Sequence, residues 1–308
     1  MSKVTVSIFM LTYNQEQYIA QAIDSVLMQK TNFNFQLVIG EDCSTDTTRN
    51  ICETYADSHP EKVKLLPALD KNIGLINNYI RTLKACDGKY IAICDGDDYW
   101  IDDLKLQKQV DFLESNSDCA IVGTNFKRLY SNGELEIIEK ERTKASYNFD
   151  DLIFENMITS VTVMFKNLQK NESIPEWITK FPYGDWPTYL WTIKNKGNIR
   201  FLSDVTAVYR TDIGISAGIR KQHSVTAKVN LNIVKSIAGD SSFSNKKEVV
   251  QKSILEHKKA LIACYNREKQ YFKGIIVFLN TMLTSFKVQS LTKYYLYSLK
   301  QSFNKKIV

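Results

Sequence analysis

Tyr90-Ile91-Ala92-Ile93-Cys94, running straight into Asp95-Gly96-Asp97-Asp98, is the stretch that decides how this chain is read. The first five residues are apolar and rich in β-branched and aromatic side chains, the pattern of a buried strand. Three carboxylates then fall within four residues. Like charges that close repel, so a positive partner is expected. Hard cations such as Mg²⁺ or Mn²⁺ take oxygen ligands and bridge one or two carboxylates to a phosphate. The stretch therefore suggests a metal–phosphate site at the carboxyl end of a strand, where open α/β sheets bind their ligands. An isolated Asp-x-Asp also serves turns and helix caps, so the rest of the chain has to decide.

Working back from this stretch, the first hundred residues alternate strand and helix. Residues 4–11 read as a strand. Residues 15–29 read as a helix, because Ile19, Ala22, Ile23, Val26 and Leu27 form one apolar stripe. Strand 35–40, helix 44–57 with Ser44, Thr45 and Asp46 as capping residues, strand 63–66 and helix 75–86 follow. Strands recurring about every thirty residues with helices between them predict a mostly parallel sheet with right-handed crossovers. Beyond Trp100 the alternation breaks. Residues 104–115 read as helix, and 119–130, 158–165, 199–202 and 205–209 as strands that complete the sheet. Polar residues 239–245 suggest a boundary, and Lys246 onward reads as helical. The expected organisation is an α/β domain over 1–240 and a basic helical extension over 241–308.

At 308 residues, 44% hydrophobic and 24% charged, the chain has the profile of a globular protein with a substantial core. No run approaches the roughly 18 apolar residues that a membrane-spanning helix needs. Lys3 precedes a short apolar run that enters Thr12-Tyr13-Asn14-Gln15 without a small-residue cleavage site, so a cytoplasmic location is expected. The six cysteines form no Cys-x-x-Cys pair, which fits free thiols better than zinc or a disulfide framework. His59, His223 and His257 are too dispersed to suggest a metal cluster.

In a parallel sheet three polar strand ends meet on one edge: Thr12-Tyr13-Asn14, Glu41-Asp42-Cys43-Ser44-Thr45-Asp46, and the aspartate cluster. An aromatic ring to stack on a base, carboxylates for base or ribose, and a cation for a diphosphate are what a nucleoside diphosphate requires. Here the chain resembles the inverting family 2 glycosyltransferases of the GT-A (Rossmann-like) fold, over roughly residues 4–215. Residues 6–14 resemble that family's opening strand, and Glu41–Asp46 resembles its Asp-Asp-Gly-Ser-x-Asp turn. Lys71-Asn72-Ile73-Gly74 resembles its Asn-x-Gly segment, and Asp95-Gly96-Asp97 its Asp-x-Asp. Glu41 and Cys43 depart from the family pattern, which has Asp and Gly there.

The resemblance implies roles. Thr12, Tyr13, Asn14, Glu41 and Asp42 would hold the nucleoside, and Asp95 would face ribose or diphosphate. Asp97, with Asp95, would bind Mn²⁺ or Mg²⁺; Asp98 either joins them or orients the turn. Phe181-Pro182-Tyr183-Gly184-Asp185-Trp186 stands where the family carries its general base, making Asp185 the candidate to deprotonate an acceptor hydroxyl. Asp185 could equally open a helix, since Pro187 favours a first turn. Tyr209-Arg210-Thr211-Asp212 resembles the family's Tyr-Arg-x-His. Arg210 would clamp the diphosphate, and Asp212 would be either a metal ligand or a turn residue.

The implied partners are a nucleotide sugar, most often a UDP-sugar in this family, and a glycan or lipid-linked acceptor. Two rivals are a sugar-nucleotide pyrophosphorylase and a non-catalytic nucleotide- or glycan-binding protein. The first usually opens with a Gly-rich basic loop, which Thr12–Glu16 is not. Retention of Asp95, Asp97 and Asp185 argues against the second. Net charge is +6, and residues 258–308 hold ten Lys or Arg against one acid, Glu268. Val288, Leu291, Tyr295 and Leu299 form a helical apolar stripe, and 275–279 is a fully apolar run. This extension is either a peripheral helix for an anionic membrane surface or an ordinary helical appendage. No nucleic-acid motif is present.

Overall fold

The structure is a computed structural model that describes residues 4–139, 142–211, 213, 222–283 and 288–304. It divides into two compact units: residues 1–152 with 156–215, and residues 153–155 with 216–308.

The first unit is built on a nine-stranded mixed sheet. Four strands, β1 (Val6–Thr12), β2 (Phe35–Glu41), β3 (Val63–Leu65) and β4 (Tyr90–Ile93), are parallel in the order β3-β2-β1-β4. Every residue of β1 is buried, as expected of a parallel strand covered on both faces. Helices α1 (Ile19–Leu27), α2 (Thr48–Ser58) and α3 (Leu75–Lys84) make the crossovers. Ile19, Ala22, Ile23 and Val26 of α1 have no exposed surface, so the stripe read from the sequence is the one that enters the core. Because β2 and β4 lie on opposite sides of β1, the chain changes direction at the β1–β4 seam, the topological switch point where such sheets open a crevice.

The remaining elements extend the sheet: β5 (Tyr99–Trp100), α4 (Lys105–Ser115), β6 (Cys119–Leu129), β7 (Leu135–Ile138), α5 (Phe149–Leu152), β8 (Met164–Lys166), α6 (Asp185–Thr192) and β9 (Asn198–Arg210). Strand β8 inserts between β4 and β6, antiparallel to both, and β9 runs parallel to β6. Three expectations are corrected in detail. Residues 158–165 form only a short strand after a 3₁₀ turn at Ser160–Thr162, where the Val161 carbonyl turns to accept from Trp100 Nε1 at 2.9 Å. Strand segments 199–202 and 205–209 are one strand with register shifts. Helix 15–29 begins only at Ile19, because residues 13–16 are held out in a loop by the next crossover.

The second unit contains α7 (His223–Gly239), α8 (Lys247–Arg267), α9 (Tyr271–Met282) and α10 (Val288–Asn304). Its start lies well before the boundary expected at residue 240, because α7 buries Leu231 against Leu261 and Tyr265 of α8. The sequence conceals α7: its apolar residues Val225, Val229, Leu231, Ile233, Val234 and Ile237 spread round the helix and leave no clean stripe. On α10, Leu291 and Tyr295 pack with Ile262, Val277, Phe278, Met282 and Leu299, and the Tyr295 ring stacks on Phe278 at 4.4 Å. That stripe belongs to the core of the unit. Among the described residues no helix is long and apolar enough to cross a membrane.

Candidate active site at the carboxyl edge of the sheet

The backbone ladder explains why the acidic turn lies beside the end of β1. Regular pairing runs from Val6–Tyr90 to Phe9–Ile93, and two more bonds continue it, Cys94 N–H to the Phe9 carbonyl (3.0 Å) and Gly96 N–H to the Leu11 carbonyl (2.8 Å). A Cβ on Gly96 would sit 2.5 Å from Gln15 Oε1 and 2.9 Å from Thr12 Oγ1, so glycine is required for the two loops to meet. At this junction Thr12 Oγ1, Gln15 Oε1 and Asp95 Oδ1 are buried without a hydrogen-bond partner. Orphaned buried polar atoms are rare in folded proteins and cost about 1–3 kcal/mol each. Three of them lie around this one seam, beside the acidic turn.

The acidic turn is under electrostatic load. Burial, then the neighbouring Asp97 and Asp185 carboxylates, push the Asp95 carboxyl up to about 8. Asp98 is buried, and burial followed by Asp97 raises it well above the usual carboxylate range. Asp98 Oδ1 accepts the backbone N–H of Arg210 at 2.9 Å. The Arg210 guanidinium donates to the Asp97 carbonyl at 2.6 Å and to Gln21 Oε1 at 2.5 Å, and lies 4.8 Å from the ring centroids of both Tyr18 and Tyr99. Arg210 thus staples the turn to α1, a position more specific than the phosphate clamp expected from sequence. Asp212 lies outside the described residues.

The fit to a divalent cation is that of an open site. Among the described residues no three Asp, Glu, His or Cys side chains converge as a ready-made cage. Asp98 is turned toward Arg210, leaving Asp95 with its unpartnered oxygen and the adjacent Asp97. One or two carboxylates, with substrate phosphate and water completing the shell, is the mode Mg²⁺ favours.

The other expected residues divide by geometry. Tyr13 is half-buried in the loop after β1. Asn14 has a left-handed φ of 51°, donates its N–H to Ser44 Oγ (3.0 Å) and accepts from Thr45 N–H (2.8 Å). It laces the first loop to the second, as do Gln15 N–H to Thr48 Oγ1 (2.7 Å) and Thr47 N–H to Glu16 Oε2 (3.0 Å). Ser44, Thr45 and Asp46 therefore serve this lacing, with Asp46 also accepting from Thr48 N–H. Glu41 is 1% exposed; it accepts from Ser44 N–H at 2.5 Å and faces Arg49 at 3.7 Å. Asp42, also buried, accepts the N–H groups of Ile73 and Gly74 at 2.9 and 3.0 Å, which is what the Lys71–Gly74 segment supplies to the site. Burial nevertheless raises Asp42 above its ordinary value.

Asp185 is the first residue of α6, with Gly184 before it and Pro187 in the first turn. A carboxylate there is favoured by the helix dipole. Asn156 Nδ2 donates to Asp185 Oδ2 at 3.2 Å. Gly184 is tight against Tyr79, whose ring would be 2.5 Å from a Cβ, and the Tyr79 hydroxyl hydrogen-bonds Thr188 of α6 at 3.1 Å. Tyr79 also packs on Phe9 of β1 at 4.8 Å, so α3 fixes α6 relative to the strand end. The sequence reading missed Tyr18, Gln21, Tyr79, Tyr99 and Asn156. Only Tyr18 and Tyr99 carried a signal, as aromatics beside recognised motifs.

With this geometry in hand, comparison with known proteins is informative. Residues 7–170, more than half of the chain, match the family model described as Glycosyl transferase family 2. The chain belongs to that family. An uncharacterized protein of Mycobacterium tuberculosis is 32% identical over 206 residues, 66% of this chain and 58% of that protein. This family 2 chain therefore aligns with little more than half the length of that relative. The dTDP-rhamnosyl transferase RfbG of Shigella flexneri is 31% identical over 144 residues, 46% of this chain and 48% of RfbG. Among solved structures, residues 1–349 of S. aureus TarS in complex with UDP-GlcNAc superpose with a TM-score of 0.64 at 18% identity, covering 97% of this chain and 90% of that fragment. At that identity the likeness establishes the fold, an α/β sheet flanked by helices with a helical C-terminal region.

Proposed function

We propose that this family 2 chain transfers a glycosyl group from a nucleotide-diphosphate sugar to an acceptor hydroxyl, with inversion at the anomeric carbon. The observation that carries the proposal is the seam of unpartnered Thr12 Oγ1, Gln15 Oε1 and Asp95 Oδ1 beside the acidic turn, at the switch point of the sheet. Gln15 Oε1 and the Asp95 carboxylate can accept from ribose hydroxyls, and the Thr12 hydroxyl can donate to a diphosphate oxygen once substrate binding opens the seam. The half-buried Tyr13 offers a stacking face for the base. RfbG is named a dTDP-rhamnosyl transferase and TarS was solved with UDP-GlcNAc, which supports a nucleotide-diphosphate sugar as donor; a UDP-sugar is the donor that the family resemblance favours.

Asp95 and Asp97 would hold Mn²⁺ or Mg²⁺, which supplies Lewis-acid stabilisation of the departing diphosphate. Arg210 and Asp98 set the turn that presents those carboxylates. Asp185, oriented by Asn156, accepts the proton of the acceptor hydroxyl as its oxygen bonds to the anomeric carbon. The bond from that carbon to the diphosphate oxygen breaks in the same displacement, and the nucleoside diphosphate leaves with the electron pair. No enzyme nucleophile is needed. The acceptor is a hydroxyl of a growing glycan, free or lipid-linked.

A screen of nucleotide sugars with Mn²⁺ or Mg²⁺, reading released nucleoside diphosphate, tests the proposal. Metal-dependent release from one donor, lost in Asp185→Asn, is the expected result. Absence of any nucleotide-sugar binding by calorimetry would overturn it.

A further inference from the structure

Helix α9 is apolar on two opposite faces. Toward the other helices it turns buried Gly274 and Thr281 and half-buried Val277 and Phe278. Away from them, Phe272, Ile275, Ile276, Leu279 and Leu283 follow one another at i, i+3, i+4, i+7 and i+11, a single stripe at helical spacing. All five are exposed, Phe272 by 78%, Leu279 by 52% and Leu283 by 86%. Phe303 of α10, 73% exposed, stacks on Tyr271 at 5.7 Å and prolongs the stripe at its N-terminal end. Scattered exposed apolar residues need no explanation, but a continuous stripe along a helix does.

The segment that carries the stripe is strongly basic, and the exposed acids Glu248 and Glu256 of α8 are paired with Lys252 and Lys259. Residues 258–308 hold ten Lys or Arg and a single acid. That acid, Glu268, is turned inward, accepting from Ser224 N–H (2.8 Å) and Ser224 Oγ (2.5 Å) at the start of α7. Exposed Lys273 flanks the stripe, and exposed Lys300 lies one turn before Phe303 on α10.

We propose that the outer face of α9 docks on an anionic phospholipid surface, lying in the headgroup layer with Phe272, Ile276, Leu279 and Leu283 inserted. An in-plane helix with an apolar face and a cationic surround is the form such binding takes. Twelve residues are too few to cross a bilayer, in keeping with the absence of a spanning helix among the described residues. A second copy of the chain fits this face less well. A two-fold contact would set the same patch against itself and bring two strongly basic segments together. The docking face requires nothing of the donor chemistry; its use, holding the chain at a surface that carries a lipid-linked acceptor, rests on the function proposed above.

Co-flotation of the full chain with vesicles tests this, with phosphatidylcholine alone against phosphatidylcholine containing phosphatidylglycerol. The expected result is binding to the anionic vesicles only, weakened by salt. Ile276→Asp with Leu279→Asp, both exposed, should reduce it about ten-fold or more with unchanged thermal unfolding. Lys273→Glu with Lys300→Glu should also reduce it while leaving the apolar stripe intact. Absence of binding to anionic vesicles, or equal binding by wild type and both double variants, would overturn the proposal. So would self-association in the absence of vesicles that Ile276→Asp with Leu279→Asp abolishes, which would make the occupant a second copy. Nucleotide binding, measured in parallel, keeps a failure here separate from a failure of the transferase reading.

Discussion

The backbone N–H of Arg210 donates to Asp98 Oδ1 at 2.9 Å, joining the last residue of β9 to an acidic turn 112 residues earlier. The same arginine places its guanidinium between Tyr18 and Tyr99 and donates to the Asp97 carbonyl. One side chain thus fixes the turn from behind while the carboxylates of Asp95 and Asp97 remain directed by that turn. Arg210→Met keeps the backbone bond but loses two cation–π contacts, each worth ~0.5–2 kcal/mol, and the guanidinium hydrogen bonds. Chemical denaturation should show a loss of about 2–3 kcal/mol. Titration of nucleotide in the presence of Mn²⁺ should show weaker binding than wild type. Unchanged stability would mean that the bracket is ornamental.

Asp97 and Asp185 should separate when substituted. Asp97→Asn removes a charge from the proposed cation site, so nucleotide affinity should become insensitive to added metal. Asp185→Asn keeps the first turn of α6 and the Asn156 contact site but removes the proposed base. Donor binding should persist while turnover falls about 10²–10⁴-fold, the usual worth of a general base. A single-turnover assay beside equilibrium binding tells the two apart. Loss of donor binding in Asp185→Asn would remove the base assignment.

The raised Asp95 carboxyl gives a pH dependence of defined sign. Its folded value of about 8 lies above the ordinary 3.8, so the folded metal-free protein binds a proton that the unfolded chain has released. Its contribution to metal-free stability is therefore present below the unfolded value and declines as pH rises from about 4 to about 8. Metal binding demands the ionised form, so affinity for Mn²⁺ should increase as pH rises toward 8 and binding should release protons. Calorimetry in two buffers of different ionisation enthalpy measures that release. Proton-neutral binding at pH 7 would exclude Asp95 as a ligand.

Much of the first hundred residues was legible because local and global signals agree there. The buried run 90–94, the stripe of α1 and the polar strand ends each state their role within a few residues. What the sequence hid depends on distant partners. Asn14 and Glu41 look like ligand contacts by motif, yet their hydrogen bonds go to Thr45 and Ser44 in the β2–α2 loop. Tyr79 sits in an ordinary helical pattern, and only its contact with Gly184, more than a hundred residues on, reveals that it sets α6. The stripe on α10 was visible, but spacing alone cannot say whether it meets lipid or Phe278.

Cys43 stands where the resemblance called for glycine, and the structure supplies the reason for that preference. Its φ is 57°, in the left-handed region that costs an L-residue about 1–2 kcal/mol. Cys43→Gly removes that strain but adds about 0.5–1 kcal/mol of unfolded-state entropy. Net stabilisation of about 0.5–1 kcal/mol should appear as a higher denaturation midpoint. Cys43→Val, with a branched Cβ at the same φ, should destabilise. Equal midpoints for the two would show that the turn relaxes away from the left-handed conformation.

Lys105, the first residue of α4, is fully buried. Its Nζ donates to Gln109 Oε1 at 2.6 Å and lies 4.4 Å from the centre of the Trp100 ring, and among the described residues it forms no salt bridge. Burial lowers its ammonium from 10.5 to about 7. Between those values the unfolded chain holds a proton that the folded protein lacks, so this group's contribution to stability grows as pH rises from about 7 to 10.5. Below 7 the folded protein must bury the charge. Lys105→Met fills the space without a charge but leaves Gln109 Oε1 short of a donor, a cost of about 1–3 kcal/mol. The two effects oppose each other, and pH decides between them. At pH 6 the variant should be as stable as wild type or more so, because replacing a buried charge by a well-packed apolar chain is often favourable. At pH 9, where wild-type Lys105 is neutral and still satisfies Gln109, the variant should be the less stable of the two. Urea denaturation of both proteins across that range tests the crossover, and parallel stability curves would mean that Lys105 stays charged in the core.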